Sequence, residues 1–177
     1  MRIVGGKYKS RTLVEFGGFD VRPTSDKVRE SFFNIIQNRI YGAKFLDVFC
    51  GTGAMGIEAI SRGASFVHFN DNSRESLKIL NQNLTKLKVD EDFKQTNSDA
   101  LVLLKNLTEK FDIIYVDPPY KKDMGQEVVS NCLGRLNEDG IVVLEDEKPF
   151  GGQVEGLVQF DQRKYGRAYL TFFREEK

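Results

Sequence analysis

The sequence predicts an α/β fold of Rossmann-like type. A mostly parallel seven-stranded sheet carries helices on both faces and an antiparallel hairpin at its C-terminal edge, and a small N-terminal β-hairpin plus helix precedes it. Three observations predict this. From Lys44 onward, apolar strand-like runs alternate with segments of helical period, the pattern of consecutive βα units around a parallel sheet. The runs, FDIIYV above all, are apolar at nearly every position rather than every second one, as strands covered on both faces must be. The tail then changes to two extended runs joined by a short turn.

Each element can be justified in turn. RIVGGKYKSRTLVEF reads as a short hairpin around Gly5-Gly6. Pro23 precedes a helix expected to begin near Thr24 or Ser25, with Val28, Phe32, Ile35, Ile36 and Ile40 as its apolar stripe. KFLDVF is a strand, AMGIEAISR a helix closed by Gly63, and SFVHFND a strand. Residues 73–87 form a helix with Leu77, Leu80, Leu84 and Leu87 on one face, capped by Asn72 or Ser73. FKQTN is a weaker strand, ALVLLKNL a helix and FDIIYVD the most apolar strand. A helix containing Val128, Val129, Leu133 and Leu136 leads to the strand GIVVLED. The closing strands lie near 157–164 and 168–174, around Tyr165-Gly166. Residues 1–40 are expected to be an extension and 41–177 the main domain.

Bulk composition limits the classes. The chain of 177 residues is 40% hydrophobic, enough for one sizeable core. Its start has no apolar stretch resembling a secretory signal, and no apolar run approaches membrane-spanning length. Cys50 and Cys132 are the two cysteines and form no C-x-x-C pair, which fits a reducing cytoplasm and no structural zinc. The formal net charge is zero. Residues 1–40, however, hold eight basic and four acidic side chains, a balance of +4 that leaves −4 on the other 137. Such a segment can track phosphates or simply be a solvated face.

In parallel α/β folds, ligands bind beyond the carboxyl ends of the strands. Four aspartates are expected there: Asp47, Asp71, Asp99 and Asp117. Any one could be a turn residue or helix cap; four beside a glycine-rich loop favour a binding site. GTGAMG places Gly51, Gly53 and Gly56 in a G-x-G-x-x-G pattern, which alone would also suit a dinucleotide. Asp47 stands four residues before the first glycine, where it would repel a pyrophosphate and favour a cationic ligand. S-adenosyl-L-methionine has a sulfonium, an ammonium and no phosphate. Asp71 would accept from its ribose hydroxyls and Asp99 from its adenine amine. His68 lies within a strand pattern and is expected to be a core histidine. No His/Cys/Asp cluster has metal-ligand spacing, so no metal is expected.

Asp117, Pro118, Pro119 and Tyr120 follow the most apolar strand. An exocyclic amine on a nucleobase is a poor nucleophile, because its lone pair is delocalised into the ring. Two acceptors, the Asp117 carboxylate and the Pro118 carbonyl, can hold its N–H groups and turn the lone pair outward. The prolines fix φ near −65° and aim that carbonyl beforehand. Tyr120 offers a face on which an extruded base can stack. A rigid turn with no chemistry is the plainer alternative.

DVFCGTGAMGIEAISRGA, FND, NSDA and DPPY, in that order, resemble the class I S-adenosyl-L-methionine-dependent methyltransferases. RIVGGKYKSRTL and RPTSDKVRESFFNII resemble the opening of the bacterial 16S ribosomal RNA guanine(966)-N2 methyltransferases, over nearly the whole chain and weakening after about Glu147. The resemblance implies the class I methyltransferase fold, with residues 41–177 as the methyltransferase domain. It implies that Asp47, Gly51 and Gly53 line the methionine end of the cofactor, Asp71 holds the ribose, and Ser98, Asp99 and Ala100 flank the adenine. Asp117, Pro118 and Tyr120 would hold the target guanine. Lys7, Arg11, Arg22, Lys27 and Arg29 would contact RNA or shape the pocket rim. The implied partner is 16S rRNA within a small subunit or assembly intermediate, met by a cytoplasmic monomer with no membrane association. Two positions depart from the pattern: Cys50 replaces a smaller residue, and Asn70 stands where a second acid is common. Alternatives are an adenine-N6 methyltransferase on DNA or RNA, an NAD-dependent oxidoreductase, and a non-enzymatic RNA-binding assembly factor.

Overall fold

The structure, a computed structural model, describes residues 1–17, 25–120 and 123–177. The expected alternation is present. Helices α1 (Asp26–Ile35) and α2 (Gln37–Ile40) lead into β1 (Lys44–Asp47), α3 (Ala54–Ser61), β2 (Phe66–Asp71), α4 (Arg74–Leu87), β3 (Phe93–Asn97), α5 (Ala100–Asn106) and β4 (Phe111–Val116). There follow α6 (Gly125–Ser130), β5 (Leu136–Asp146), β6 (Leu157–Tyr165) and β7 (Ala168–Glu175). The seven strands form one sheet in the order β3-β2-β1-β4-β5-β7-β6. Pairing is parallel from β3 through β5, and antiparallel where β7 inserts between β5 and β6. Strand order reverses between β1 and β4, so a crevice opens there at the strands' carboxyl ends. No helix among the described residues is long and apolar enough to cross a membrane.

Both faces of the sheet are covered, as the continuous apolar strands require. Phe45, Phe69, Ile113, Tyr115 and Val143 face α1, α3 and α4. Leu46, Val48, Ile114, Val116 and Leu144 face α5 and α6. The stripe of α1 does what its spacing predicts, with Phe32 and Phe33 fully buried and the Phe32 ring 5.1 Å from that of Tyr115. Ser25 caps the helix, accepting from the Val28 N–H; Thr24 lies outside the described residues. The helix breaks at Ile36, which leaves the α conformation before α2 resumes. Ser73 caps α4 as expected.

The N-terminal segment packs into the same apolar cluster, through Ile3, Tyr8 and Leu13. Its ends pair as in a hairpin, with one antiparallel bridge between Arg2 and Thr12. The turn, however, lies at residues 6–10 rather than at Gly5-Gly6, closed by Lys9 N–H to Gly6 O and Arg11 N–H to Tyr8 O. Gly5 and Gly6 instead lie against α3. Gly6 has φ +78, and a Cβ there would fall 1.9 Å from the Ser61 carbonyl oxygen. The Glu58 carboxylate, fully buried, accepts from the Val4 and Gly5 N–H groups at 3.0–3.1 Å and pairs with Arg62 at 3.1 Å and Arg29 at 3.8 Å.

A second expectation needs correcting. The helix after Asp117 ends at Ser130, Leu133 lies exposed in the following turn, and Leu136 begins β5. Gly134, with φ +77, makes that reversal, which the apolar spacing alone does not reveal.

Candidate active site

The four aspartates do gather at the carboxyl ends of the first four strands. Asp47 ends β1 and Asp71 ends β2; Asp99 lies two residues beyond β3 and Asp117 one residue beyond β4. They are not level. Asp47 pairs in register with Phe69 on β2 and Tyr115 on β4. It therefore lies two residues, about 7 Å, deeper than Asp71 and Asp117. That offset explains its burial: Asp47 is 1% exposed. Burial pushes its carboxyl up to about 7, against the pull of the Gly56 N–H, and the Asp71 and Glu145 charges add to the rise.

The glycine loop has the conformations glycine supplies. Gly51 (φ +53) and Gly53 (φ +95) lie in the left-handed region. A methyl group at Gly51 would meet nothing within 4 Å, so this backbone faces open space. At Gly53 it would reach Leu80 at 2.3 Å, and at Gly56 Phe69 at 2.3 Å, so these two glycines serve close packing of α3 and α4 on the sheet. Asp71 braces the loop. One of its oxygens accepts from Gly51 N–H at 2.8 Å and the other from Ser73 N–H at 2.9 Å. Asn83 braces the loop from below, donating to Thr52 O at 3.0 Å while exchanging two hydrogen bonds with the Val14 backbone. Asn70 is fully engaged too, donating to Val48 O and Ser98 O at 3.0 Å each and tying three strand ends together. Ser98, Asp99 and Ala100 form the next part of the rim. Asp99 caps α5 by accepting from Leu101 and Val102 N–H, and Ala100 is buried.

On β4, Asp117 is half-buried, Pro118 buried and Tyr120 44% exposed, so the acid and the ring both border solvent at the crevice. Beneath them lies a carboxylate the sequence did not single out. Leu144 pairs with Val116, which puts the buried Glu145 beside Asp117 on the neighbouring strand. Glu145 accepts from the buried Tyr115 hydroxyl. Burial, then the Glu145 and Asp117 charges, push that phenol well above its ordinary range, so it remains a donor. The alternation of Val143 and Glu145 along β5 was the available signal. Cys50 is a buried thiol raised by desolvation and by Asp47 and Asp71, which makes it inert. His68 is a fully buried sheet residue pushed down to about 4, chiefly by burial.

The five basic positions separate. Lys7 is held by Asp90 and Glu91 at 2.9 Å each. Arg11 is exposed and donates to Lys86 O at 3.2 Å, and Lys27 is exposed. Arg22 lies outside the described residues. Arg29 corrects the expectation of RNA contact: it is fully buried between Asp26 and Glu58, with no surface to offer a phosphate.

Known proteins resemble this chain over most of its length. The family model described as "Conserved hypothetical protein 95" matches residues 1–174. The Escherichia coli (strain K12) protein named ribosomal RNA small subunit methyltransferase D is 34% identical, over 83% of this chain and 75% of that one. A Bacillus subtilis protein, named as a candidate rRNA methyltransferase, is 31% identical over 99% of both chains. A solved structure of a candidate methyltransferase from Escherichia coli superposes with a TM-score of 0.88 at 29% identity, covering 99% of this chain and 98% of that one.

Proposed function

Since the chain belongs to the family described as conserved hypothetical protein 95, we propose that it transfers a methyl group from S-adenosyl-L-methionine to the exocyclic N2 amine of a guanine in 16S ribosomal RNA of the small subunit. One observation carries the reading: Asp117, Pro118 and Tyr120 stand at the end of a central strand, on the same rim as Asp47, Asp71 and an unobstructed Gly51. The Escherichia coli relative's name supports small-subunit RNA as the substrate class.

The residues present fit this cofactor. Gly51 leaves space against its backbone, and the deep carboxylate of Asp47 favours a cation over a phosphate. Asp47 would neighbour the methionine end, Asp71 the ribose, and Ser98, Asp99 and Ala100 the adenine. When bound, S-adenosyl-L-methionine supplies an electrophilic methyl group. Asp117 and the Pro118 carbonyl accept from the target amine and orient its lone pair, while Tyr120 stacks on the base. Positioning contributes most of the rate, and a strong base is unnecessary because a methylated amine is acidic enough to lose its proton. We place the protein in the cytoplasm as a monomer acting on a small subunit or an assembly intermediate, with Arg11, Arg22 and Lys27 toward the RNA.

Labelled methyl donor incubated with assembled small subunits, naked 16S RNA or DNA tests the reading. Label is expected in guanine N2 of the RNA, and label confined to DNA or to adenine would overturn it.

Asp47 makes a second prediction. An acid whose folded value is raised to about 7 is protonated in the folded chain between its ordinary value near 4 and 7, where the unfolded chain is already ionised. Its share of stability is therefore fully present below pH 4 and is lost as pH rises from 4 to 7. A cationic ligand favours the ionised form, so cofactor affinity should rise with pH through about 7 and be accompanied by proton release. Calorimetry in buffers of different ionisation heats reads this. Asp47→Asn should abolish the pH dependence and weaken binding at pH 8.

A further inference from the structure

The last hairpin returns the chain to the pole where the acids gather. β7 runs antiparallel to β5, and Asp146 at the carboxyl end of β5 pairs with Tyr169 near the start of β7. Tyr169 pairs in turn with Lys164, and Ala168 with Tyr165. The β6–β7 turn therefore projects past the carboxyl end of β5. Leu144 is level with Val116, so Asp117 is level with Glu145 and, through it, with Leu170. The turn begins two residues beyond that level, about 7 Å, and β7 stands two strand spacings from β4, about 10 Å. The backbone of one bound strand can span both.

The turn differs chemically from the rest of the rim. Residues 163–169, RKYGRAY, hold three basic side chains, two tyrosines and no acid. Gly166, with φ +60, and Arg167 are the two central residues of the reversal, and a glycine placed first lets so short a loop join the strands. Arg167 is exposed at this tip. Lys164 is exposed below it, its ammonium 5.4 Å from the centre of the Tyr169 ring. Neither has a carboxylate within salt-bridge distance among the described residues, whereas Arg163 is held by Asp161 at 2.9 Å. Tyr165 is half-buried against the apolar cluster that includes α1 residues, which anchors the turn. Its neighbour Lys164 faces the α5 and α6 side, so a strand crossing the end of the sheet meets Lys164 and the tip together. A short, anchored turn also leaves little conformational entropy to lose on binding.

Two cations without counter-ions call for an anionic partner, and at this pole the anion at hand is the backbone of the nucleic acid. Asp146 does not neutralise Lys164: it lies two strand spacings away and accepts from the Lys148 N–H at 3.3 Å. Together with Glu147 it repels phosphate, which directs a bound backbone to the turn rather than to the end of β5. On the footing that RNA is the substrate, we infer that the β6–β7 turn is part of the RNA-binding surface, with Arg167 and Lys164 pairing with phosphates of nucleotides that flank the target base. The turn thus supplies contacts that the buried Arg29 and the paired Lys7 do not.

Binding of the protein to small ribosomal subunits, measured from about 50 to 200 mM salt at constant magnesium, tests this. Arg167→Ala and Lys164→Ala should each weaken binding severalfold. Each should also lower the slope of log affinity against log salt by about 0.7, the share of one phosphate on a single strand, and the double variant by about twice as much. Arg167→Lys keeps the charge and should restore the slope. In methylation, KM should rise while kcat stays, and calorimetry should show S-adenosyl-L-methionine bound as tightly as by the parent. Lys110→Ala removes an exposed charge at the amino end of β4, the opposite pole, and should leave the slope unchanged. The inference falls alone if the parent methylates the subunits but neither single variant moves the slope, or if Lys110→Ala lowers it as much as they do. A parent that methylates no RNA overturns the proposed activity itself, and this inference with it.

Discussion

Replacing Asp117 by alanine is expected to lower methyl transfer on the order of 10²–10³-fold, the usual loss when one preorganised polar group is removed from a reacting centre. The protein should remain folded. Asp117 follows the last residue of β4 and is half-buried at the rim, so its loss opens no hole beneath the fully buried Tyr115 and Val116. Cofactor affinity should change little, because Asp47, Gly51 and Asp71 are carried by other strand ends. Asp117→Asn retains one acceptor oxygen and should fall between alanine and the parent. Single-turnover methylation on small subunits, calorimetry with S-adenosyl-L-methionine and circular dichroism together read the three outcomes. Unchanged turnover in the alanine variant would remove the basis for the proposed chemistry.

Glu58→Ala is expected to be the most destabilising single change, by about 3–5 kcal/mol, the range for removing one partner from a buried ion pair. Glu58 and Arg29 are both fully buried, and alanine would leave the guanidinium with only the exposed Asp26 carboxylate. It would also leave the Val4 and Gly5 N–H groups without their acceptor. The loss should not spread evenly. Amide exchange at Val4 and Gly5 should accelerate first, while that of β4 should follow global unfolding. Equal acceleration throughout the sheet would mean that the N-terminal segment contributes nothing local. Gly6→Ala should act on the same contact, since its Cβ would overlap the Ser61 carbonyl.

Much of this fold is legible in the chain because strands covered on both faces must be apolar at consecutive positions, and FDIIYV and GIVVLED are. Three of the rim acids are legible for a related reason: Asp47, Asp71 and Asp117 stand at the ends of largely apolar runs, whereas Asp99 stands two residues beyond the polar run FKQTN. Their depth is not. That Asp47 lies two residues below Asp71 depends on the stagger of β1 against β2, which pairing determines and composition does not. Glu145 is not legible because LED reads as the polar end of a strand; only its pairing level beside Asp117 brings it into the site. Arg29 misled for another reason. A basic residue on a helix flanked by Lys27 and Glu30 suggests a solvated face, and its buried partner Glu58 is 29 positions away. Leu133 and Leu136 matched helical spacing, yet Gly134 reverses the chain between them.

Asn83 serves the N-terminal segment and the glycine turn with one side-chain amide. Its nitrogen donates to Val14 O and to Thr52 O at once, so a shift of either backbone is met by the same side chain. If RNA docks against the N-terminal segment and the cofactor against the turn, as proposed, a coupling free energy carried by this amide must be the same read from either end. Donor and nucleic acid should consequently not bind as strangers: each should alter the other's dissociation constant by one common factor, which Asn83→Ala would draw toward unity.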